Sequence, residues 1–262
     1  MPIELLYPLV GVATGLIAGL LGVGGGILMV PILAGLFGLQ GLAPEHTMHL
    51  AVATSLSVII FTAASSARSH HAHGAVLWPV VRRMVPGLIA GAIVGALLAD
   101  AASSTMLSRA FGIAGLLVAV QMFLNRQPPP TRSLPGTPGL LGISTVFGAV
   151  SALIGIGGGS LTVPYLVWCN TPPARAVGTS SVFGVPIAAF ATAGYVASGW
   201  HNPALPDWTA GYVYLPALLG VGLVSVLFAP LGARLAHGMP AATLKRCFAV
   251  FLALVGLRML VG

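Results

Sequence analysis

Charge is what this sequence has least of. Four acidic and eleven basic residues make up 6% of its 262 positions, where a soluble domain carries roughly 25%. So few charges cannot build a water-facing surface, and with 57% of its residues hydrophobic the chain reads as a membrane protein. Apolar stretches near the ~20 residues that cross the hydrocarbon recur along its whole length, more than one signal peptide or anchor would supply. The shortage of acids also leaves no paired carboxylates and no serine–histidine–acid set, which argues against an enzyme and nominates no catalytic residue. Cysteine, at two residues, is rare as well. Cys169 and Cys247 lie in or beside apolar segments without metal-ligand spacing and read as small hydrophobes. A formal charge of +7 would suggest nucleic acid in a soluble protein. Here the basic residues sit in short connections between apolar segments, so the expected partner is the lipid bilayer and no nucleic acid.

What the chain has in plenty is glycine and proline, 35 and 20 residues, and they punctuate it regularly. Hydropathy and these breaks mark apolar segments at about 3 to 21, 26 to 41, 47 to 67, 80 to 99 and 104 to 124. A proline-rich polar stretch, NRQPPPTRSLPGTPG, follows, and then segments at about 139 to 154, 159 to 170, 175 to 198, 211 to 230 and 240 to 261. The halves match in detail. LLGVGGGILMVPIL at 20 to 33 is answered by LIGIGGGSLTVPYL at 153 to 166, AVATS at 51 to 55 by AVGTS at 176 to 180, and GALLADAASSTMLSRAF at 95 to 111 by GARLAHGMPAATLKRCF at 232 to 248. The expected organisation is therefore an N-terminal transmembrane repeat over 1–124, a cytoplasmic linker over 125–138 and a C-terminal repeat over 139–262. Internal duplication of this kind is characteristic of secondary transporters.

Charge placement predicts the orientation of the repeats. Arg68, Arg82, Arg83, Arg126, Arg132, Arg175, Arg234, Lys245 and Arg246, nine of the eleven basic residues, mark cytoplasmic ends by the positive-inside rule. All four acids, Glu4, Glu45, Asp100 and Asp207, fall in the remaining ends. This is consistent only if each glycine-rich element crosses an even number of times, which makes the repeats inverted and puts both termini on the outer, periplasmic side. Arg109 and Arg258 are exceptions near outer helix ends, where their stems can snorkel. The predicted fold is an all-α polytopic membrane protein, an inverted-topology repeat of five helical elements per half, with the glycine elements forming broken or re-entrant helices.

Three successive glycines are too many for a packing notch. They invite left-handed or extended backbone and so end one helix and start another. The first cluster lacks the Lys-Ser or Lys-Thr of a phosphate loop and no strand precedes it, so no cofactor is expected. Broken backbone at membrane depth is tolerated where it is buried in protein or lines a cavity. A helix starting at Gly26 or Gly159 leaves its first amides free and presents the positive end of its dipole, which suits an anion. Two such starts could clasp one small anionic substrate. Gly24, Gly25, Gly26, Gly157, Gly158 and Gly159 are the candidate binding backbone, and Thr54, Ser55, Ser160, Thr179 and Ser180 the candidate hydroxyls. The competing reading of those hydroxyls is a back-bond within their own helices. Arg68 and Arg82 are candidate charges at a cytoplasmic mouth, against a role as topology markers alone.

The doubled G-x-G-G-G-x-x-x-x-P, Gly22 to Pro31 and Gly155 to Pro164, each followed by an A-V-x-T-S helix start, resembles the TauE/SafE sulfite and organosulfonate exporters, a family that also takes in permeases for toluene sulfonate uptake. The resemblance covers nearly the whole chain. It implies a bacterial inner-membrane permease that moves small sulfur-containing anions such as sulfite, sulfoacetate or related sulfonates, usually outward, with the glycine and Thr-Ser pairs as the pathway. An anion channel, or a permease for another small anion, is the alternative. Assembly as a homodimer is left open.

Histidines are the remaining chemistry. His70, His71 and His73 adjoin Arg68 without a neighbouring carboxylate or cysteine, so a solvated basic loop is favoured over a metal site and no metal is expected. There is no carboxylate relay along the segments to couple protons. Glu45 or His46 could act as an outer proton site, unwound carbonyls could bind sodium, and facilitated diffusion fits equally well.

Overall fold

A computed structural model describes residues 6–21, 26–124, 132–236 and 241–261. It contains helices α1 (Leu6–Leu21), α2 (Gly26–Leu39), α3 (Thr47–Ala72), α4 (Trp78–Asp100), α5 (Ser104–Leu124), α6 (Thr137–Ile154), α7 (Gly159–Trp168), α8 (Pro173–Gly199), α9 (Leu215–Ala236) and α10 (Ala241–Val261). A 3-10 turn at Pro44–His46 precedes α3, and strands β1 (Thr209–Ala210) and β2 (Val213–Tyr214) form a small antiparallel hairpin before α9. The predicted segments and the observed helices agree closely, five to each half. Two differences stand out. α3 runs on through a polar end to Ala72 and stops just before Gly74, whose φ of +66° closes the turn. α9 starts at Leu215 rather than 211, because the β-hairpin, turned by Gly211 at φ +54°, takes up the intervening residues.

Five described helices are long and apolar enough to span a bilayer, α3 together with the preceding 3-10 turn, α4, α5, α6 and α8. α2 and α7 are short, at 14 and 10 residues, about 21 and 15 Å at 1.5 Å per residue. Neither crosses ~30 Å of hydrocarbon alone.

Packing is built on exchange. α1 lies against α9, and α6 against α4, so the first helix of each half packs on the fourth of the other. α3 pairs with α8 and α5 with α10, each with its own counterpart. α2 leans on α3 as α7 leans on α8. These pairings survive swapping the two halves, as a two-fold arrangement requires. Small residues allow the close approach. A methyl at Gly91 of α4 would strike Thr145 O and Ala149 N of α6, and one at Gly15 of α1 would come within 2.6 Å of Ser225 O of α9. At the centre, every residue of α3 from Met48 to Ile59 is buried. Leucines and other apolar side chains on α4, α5, α9 and α10 remain exposed, among them Leu97, Leu117, Leu223 and Leu254. That distribution belongs to a protein whose outer solvent is lipid.

Candidate functional site

The second glycine element is the tip of a hairpin, and α1 and α2 bracket the first. At the base of the first, Tyr7 at the start of α1 donates its hydroxyl to Gln40 Oε1, just past the end of α2, at 2.8 Å. At the base of the second, the Arg132 N–H donates to Trp168 O at the end of α7 (3.3 Å), and the Arg132 guanidinium lies 4.6 Å from the Trp168 ring centre. Residues that open and close each element are therefore neighbours, and each hairpin returns the chain to the end it left.

The second tip is fully described. α6 ends on Gly155, in left-handed conformation at φ +72°, with the N–H groups of Gly155 and Ile156 both donating to Ser151 O (3.0 and 3.1 Å). A side chain there is strained by the backbone and would also press on Val30 and Val52. The chain then passes through Gly157 and Gly158 and starts α7 at Gly159. The first amide of that start to find a backbone acceptor is Thr162 N–H, on Gly158 O at 3.0 Å. Among the described residues the N–H groups of Gly159, Ser160 and Leu161 meet no acceptor, as the first turn of a helix leaves them. At the other tip, α2 starts at Gly26; Gly24 and Gly25 lie outside the described residues. Gly26 itself lies against the second tip. A methyl on it would come within 2.7 Å of Gly155 O and 3.3 Å of Ile156 Cα. The two glycine elements touch through bare backbone.

Thr54 and Ser55 of α3 and Thr179 and Ser180 of α8 are all buried, and the two serines reach the second glycine tip. Ser55 donates to Gly155 O across the two halves (3.2 Å). Ser180 is joined to Thr162 Oγ1 at 2.7 Å, and Thr162 also bonds Gly158 O in its own helix at 2.7 Å. The threonines have matched partners. Thr54 Oγ1 accepts the Tyr214 N–H just before α9, and Thr179 Oγ1 accepts the Leu77 N–H just before α4, each at 3.0 Å. Each satisfies an amide at a helix entry contributed by the opposite half. Ser160 Oγ is buried with no partner among the described residues. Of the nominated hydroxyls, it is the one that protein atoms leave unused.

The candidate mouth is a separate place. Arg68, near the C-terminal end of α3, and Arg82, in the second turn of α4, are both exposed. Nearby, His73 Nδ1 lies 2.8 Å from Ser69 O, and Trp78 Nε1–H donates to His71 Nδ1 at 3.4 Å. Among the described residues no group of three or more His, Cys, Asp or Glu is placed to hold a metal. Sequence reasoning missed the reciprocal threonine caps and the part played by Tyr214 and Leu77. The repeated T-S was the available signal, but its partners are backbone amides, which carry no residue identity.

Comparison with known proteins agrees with this architecture. The sulfite exporter TauE/SafE family matches residues 7–259. A probable membrane transporter protein of Haemophilus influenzae is 32% identical over 257 residues, 97% of both chains. One from Methanocaldococcus jannaschii is 28% identical over 262 residues, 98% of this chain and 96% of the relative. No solved structure gives a significant match. The length of the family match and the identity to the Haemophilus relative leave one conclusion: this chain is a membrane transporter of the TauE/SafE sulfite exporter family.

Proposed function

We propose that the chain exports a small sulfur-containing anion, such as sulfite or an organosulfonate, by alternating access between two inverted repeats, 1–124 and 139–262, in the bacterial inner membrane. The carrying observation is the contact of Gly26 with the Gly155 carbonyl at the second glycine tip, which buried Ser55 bonds directly and buried Ser180 approaches through Thr162. The anion sits at the start of α7, on the amides of Gly159 to Leu161 and on Ser160, with the start of α2 facing it. Helix dipole and unpaired N–H groups there favour negative charge. Arg68 and Arg82 draw anions to the cytoplasmic mouth. The hairpin closures at Tyr7–Gln40 and Arg132–Trp168 support the inversion. Because each glycine element returns to its own side, the third helix of each half enters from opposite faces, with both termini outside. The site uses no metal or cofactor and performs no catalysis.

A panel of sulfite, taurine, sulfoacetate, sulfolactate and sulfate, read by thermal shift of the purified protein and by flux in proteoliposomes, tests the reading. Sulfite or a sulfonate should stabilise the protein and cross the membrane. Gly158→Val should abolish both, since any side chain at 158 already meets Ile187 Cδ1 at 3.0 Å and Phe183 Cβ at 3.3 Å. Stabilisation by none of the sulfur anions would overturn the substrate class.

A further inference from the structure

Away from the glycine tips, where the start of α3 meets the end of α4 and the β-hairpin, two histidines are paired in an unusual way. His49 Nε2 lies 2.9 Å from Ala99 O and 3.1 Å from Ala102 O. Carbonyls only accept, so Nε2 carries the hydrogen and Nδ1 of the neutral ring is a bare lone pair. That Nδ1 is buried without a partner among the described residues, in a side chain 2% exposed. His46 is the converse case. Asn202 Oδ1 accepts the Ala204 N–H at 3.0 Å, which turns Nδ2 of the same amide toward His46 Nε2, 3.2 Å away. His46 Nε2 therefore accepts, its hydrogen lies on Nδ1, and that atom too is buried with no acceptor among the described residues. An orphan donor and an orphan acceptor sit on rings whose centres are 5.4 Å apart.

Buried polar atoms without partners are uncommon and call for a reason. A proton supplies one. Added to His49 Nδ1, it makes an imidazolium whose Nε2–H already points at Ala99 O in the last turn of α4 and Ala102 O just past it, the negative end of that helix dipole. The Tyr212 ring stacks on His49 at 5.0 Å and on His46 at 5.6 Å, a face that suits a cation. Tyr212 also donates its hydroxyl to Asp100 Oδ1 (3.2 Å), at the end of α4. Burial above all, with Asp100 beside it, pushes the Tyr212 phenol up, so it stays the neutral donor of that bond. The groups around His49 are thus His46 from the turn before α3, Asp100 from α4 and Tyr212 from the β-hairpin, with Tyr195 of α8 edge-on to Tyr212 at 6.3 Å. Of these only His46 opposes a positive charge.

The cluster is tied to the anion centre through shared parts. His49 holds Tyr212 by stacking, and Thr54, on the same helix, holds the Tyr214 N–H two residues further on. Next to Thr54 is Ser55, bonded to Gly155 O at the glycine tips. Six residues of helix separate His49 from Ser55, about 9 Å at 1.5 Å per residue.

We propose that His49, with His46, is a proton-binding site linked to the anion site: Nδ1 of His49 exchanges its proton on the face where Glu45 and Asp100 are exposed, and proton and anion bind together and cross in the same direction, outward when the anion's own gradient outweighs that of the proton. This rests on the anion-transport reading. Allowing for the further step from Ser55 to the start of α7, a unit charge roughly 12 Å away at an effective dielectric of about 20 changes anion affinity on the order of tenfold. Linkage makes the effect reciprocal, so anion binding tightens proton binding by the same factor.

Histidine 15N NMR of the full chain in nanodiscs, titrated from pH 8 to 4.5 with and without sulfoacetate, reads both. The His49 Nδ1 signal should move from the lone-pair to the protonated position, at a midpoint about one pH unit higher with sulfoacetate present, and should be absent in His49→Gln. In proteoliposomes an imposed pH gradient should drive sulfoacetate uphill through the wild type, while His49→Gln should retain only downhill exchange. A His49 that stays neutral to pH 4.5, or titrates at one midpoint with and without bound sulfoacetate, overturns the proposal. Failure of the transport reading shows separately, as no thermal shift with any anion of the panel while His49 still titrates.

Discussion

Gly26→Ala is the sharpest perturbation of the contact between the glycine tips. The added methyl would stand 2.7 Å from Gly155 O, where ordinary contact begins at 3.4 Å, and 2.5 Å from Ile59 Cδ1. The side-chain end can swing aside; the carbonyl belongs to a left-handed turn anchored on Ser151 and Ser55. The tips must therefore part by about 0.7 Å. Overpacking of this size costs about 1–3 kcal/mol, a loss the folded protein should survive. Its effect on function should be larger, since a misplacement near 1 Å can cost about 100-fold where groups must be held in register. Gly157→Ala is the control. Its methyl would meet only Ile59 Cγ2, at 3.6 Å, so nothing has to move. Expression, size-exclusion profile and melting temperature, followed by sulfite or sulfonate flux in proteoliposomes, separate the two outcomes. Gly26→Ala should fold with a lowered melting temperature and lose most of its flux, while Gly157→Ala melts as the wild type. Normal flux through folded Gly26→Ala would refute the idea that the transported anion depends on the tips touching.

Thr54→Val and Thr179→Val keep shape but remove the acceptors of the Tyr214 and Leu77 amides; the first should cost about 1–3 kcal/mol for a stranded buried N–H, the second about 1 kcal/mol because its amide is only half-buried. Serine at either position should restore most of it in denaturant titrations; valine variants within 0.5 kcal/mol of wild type, the scale of an ordinary surface change, would deny the capping role. Gly91→Val should prevent accumulation of folded protein, because even a methyl there runs into the α6 backbone at Thr145 O; expression at wild-type level would contradict the α4–α6 packing. A phosphatase reporter at the C-terminus should be active, as an external terminus requires, and activity only of a cytoplasmic reporter would sink the orientation.

Helix positions were legible because lipid imposes a coarse rule: apolar runs of the right length, punctuated by glycine and proline. The tips were legible for the same reason, since three glycines in a row have few other uses inside a membrane. Roles of individual hydroxyls were not. Thr54 and Thr179 look in sequence like donors lining a path, yet in the fold they accept amides from the other half, a pairing set by tertiary geometry. His49 was equally hidden. As one of five histidines between 46 and 73 it has nothing to distinguish it until the carbonyls at the end of α4 fix its tautomer. His46, which the sequence offered with Glu45 as an alternative outer proton site, is the ring beside it in the proposed cluster.

The exchange of first and fourth helices between halves bears on how the protein is made. α1 leaves the ribosome well before its mate α9, which begins only at Leu215. At 5–20 residues per second, α1 spends roughly 10–40 s in the bilayer before that surface exists. During this wait its glycine-notched face, at Gly11 and Gly15, is open to lipid or to another nascent chain. Neither half closes on itself, so a ribosome product cut at the linker would be an incomplete partner seeking its complement. Two such fragments, made separately in one cell, have the surfaces needed to find each other and reassemble.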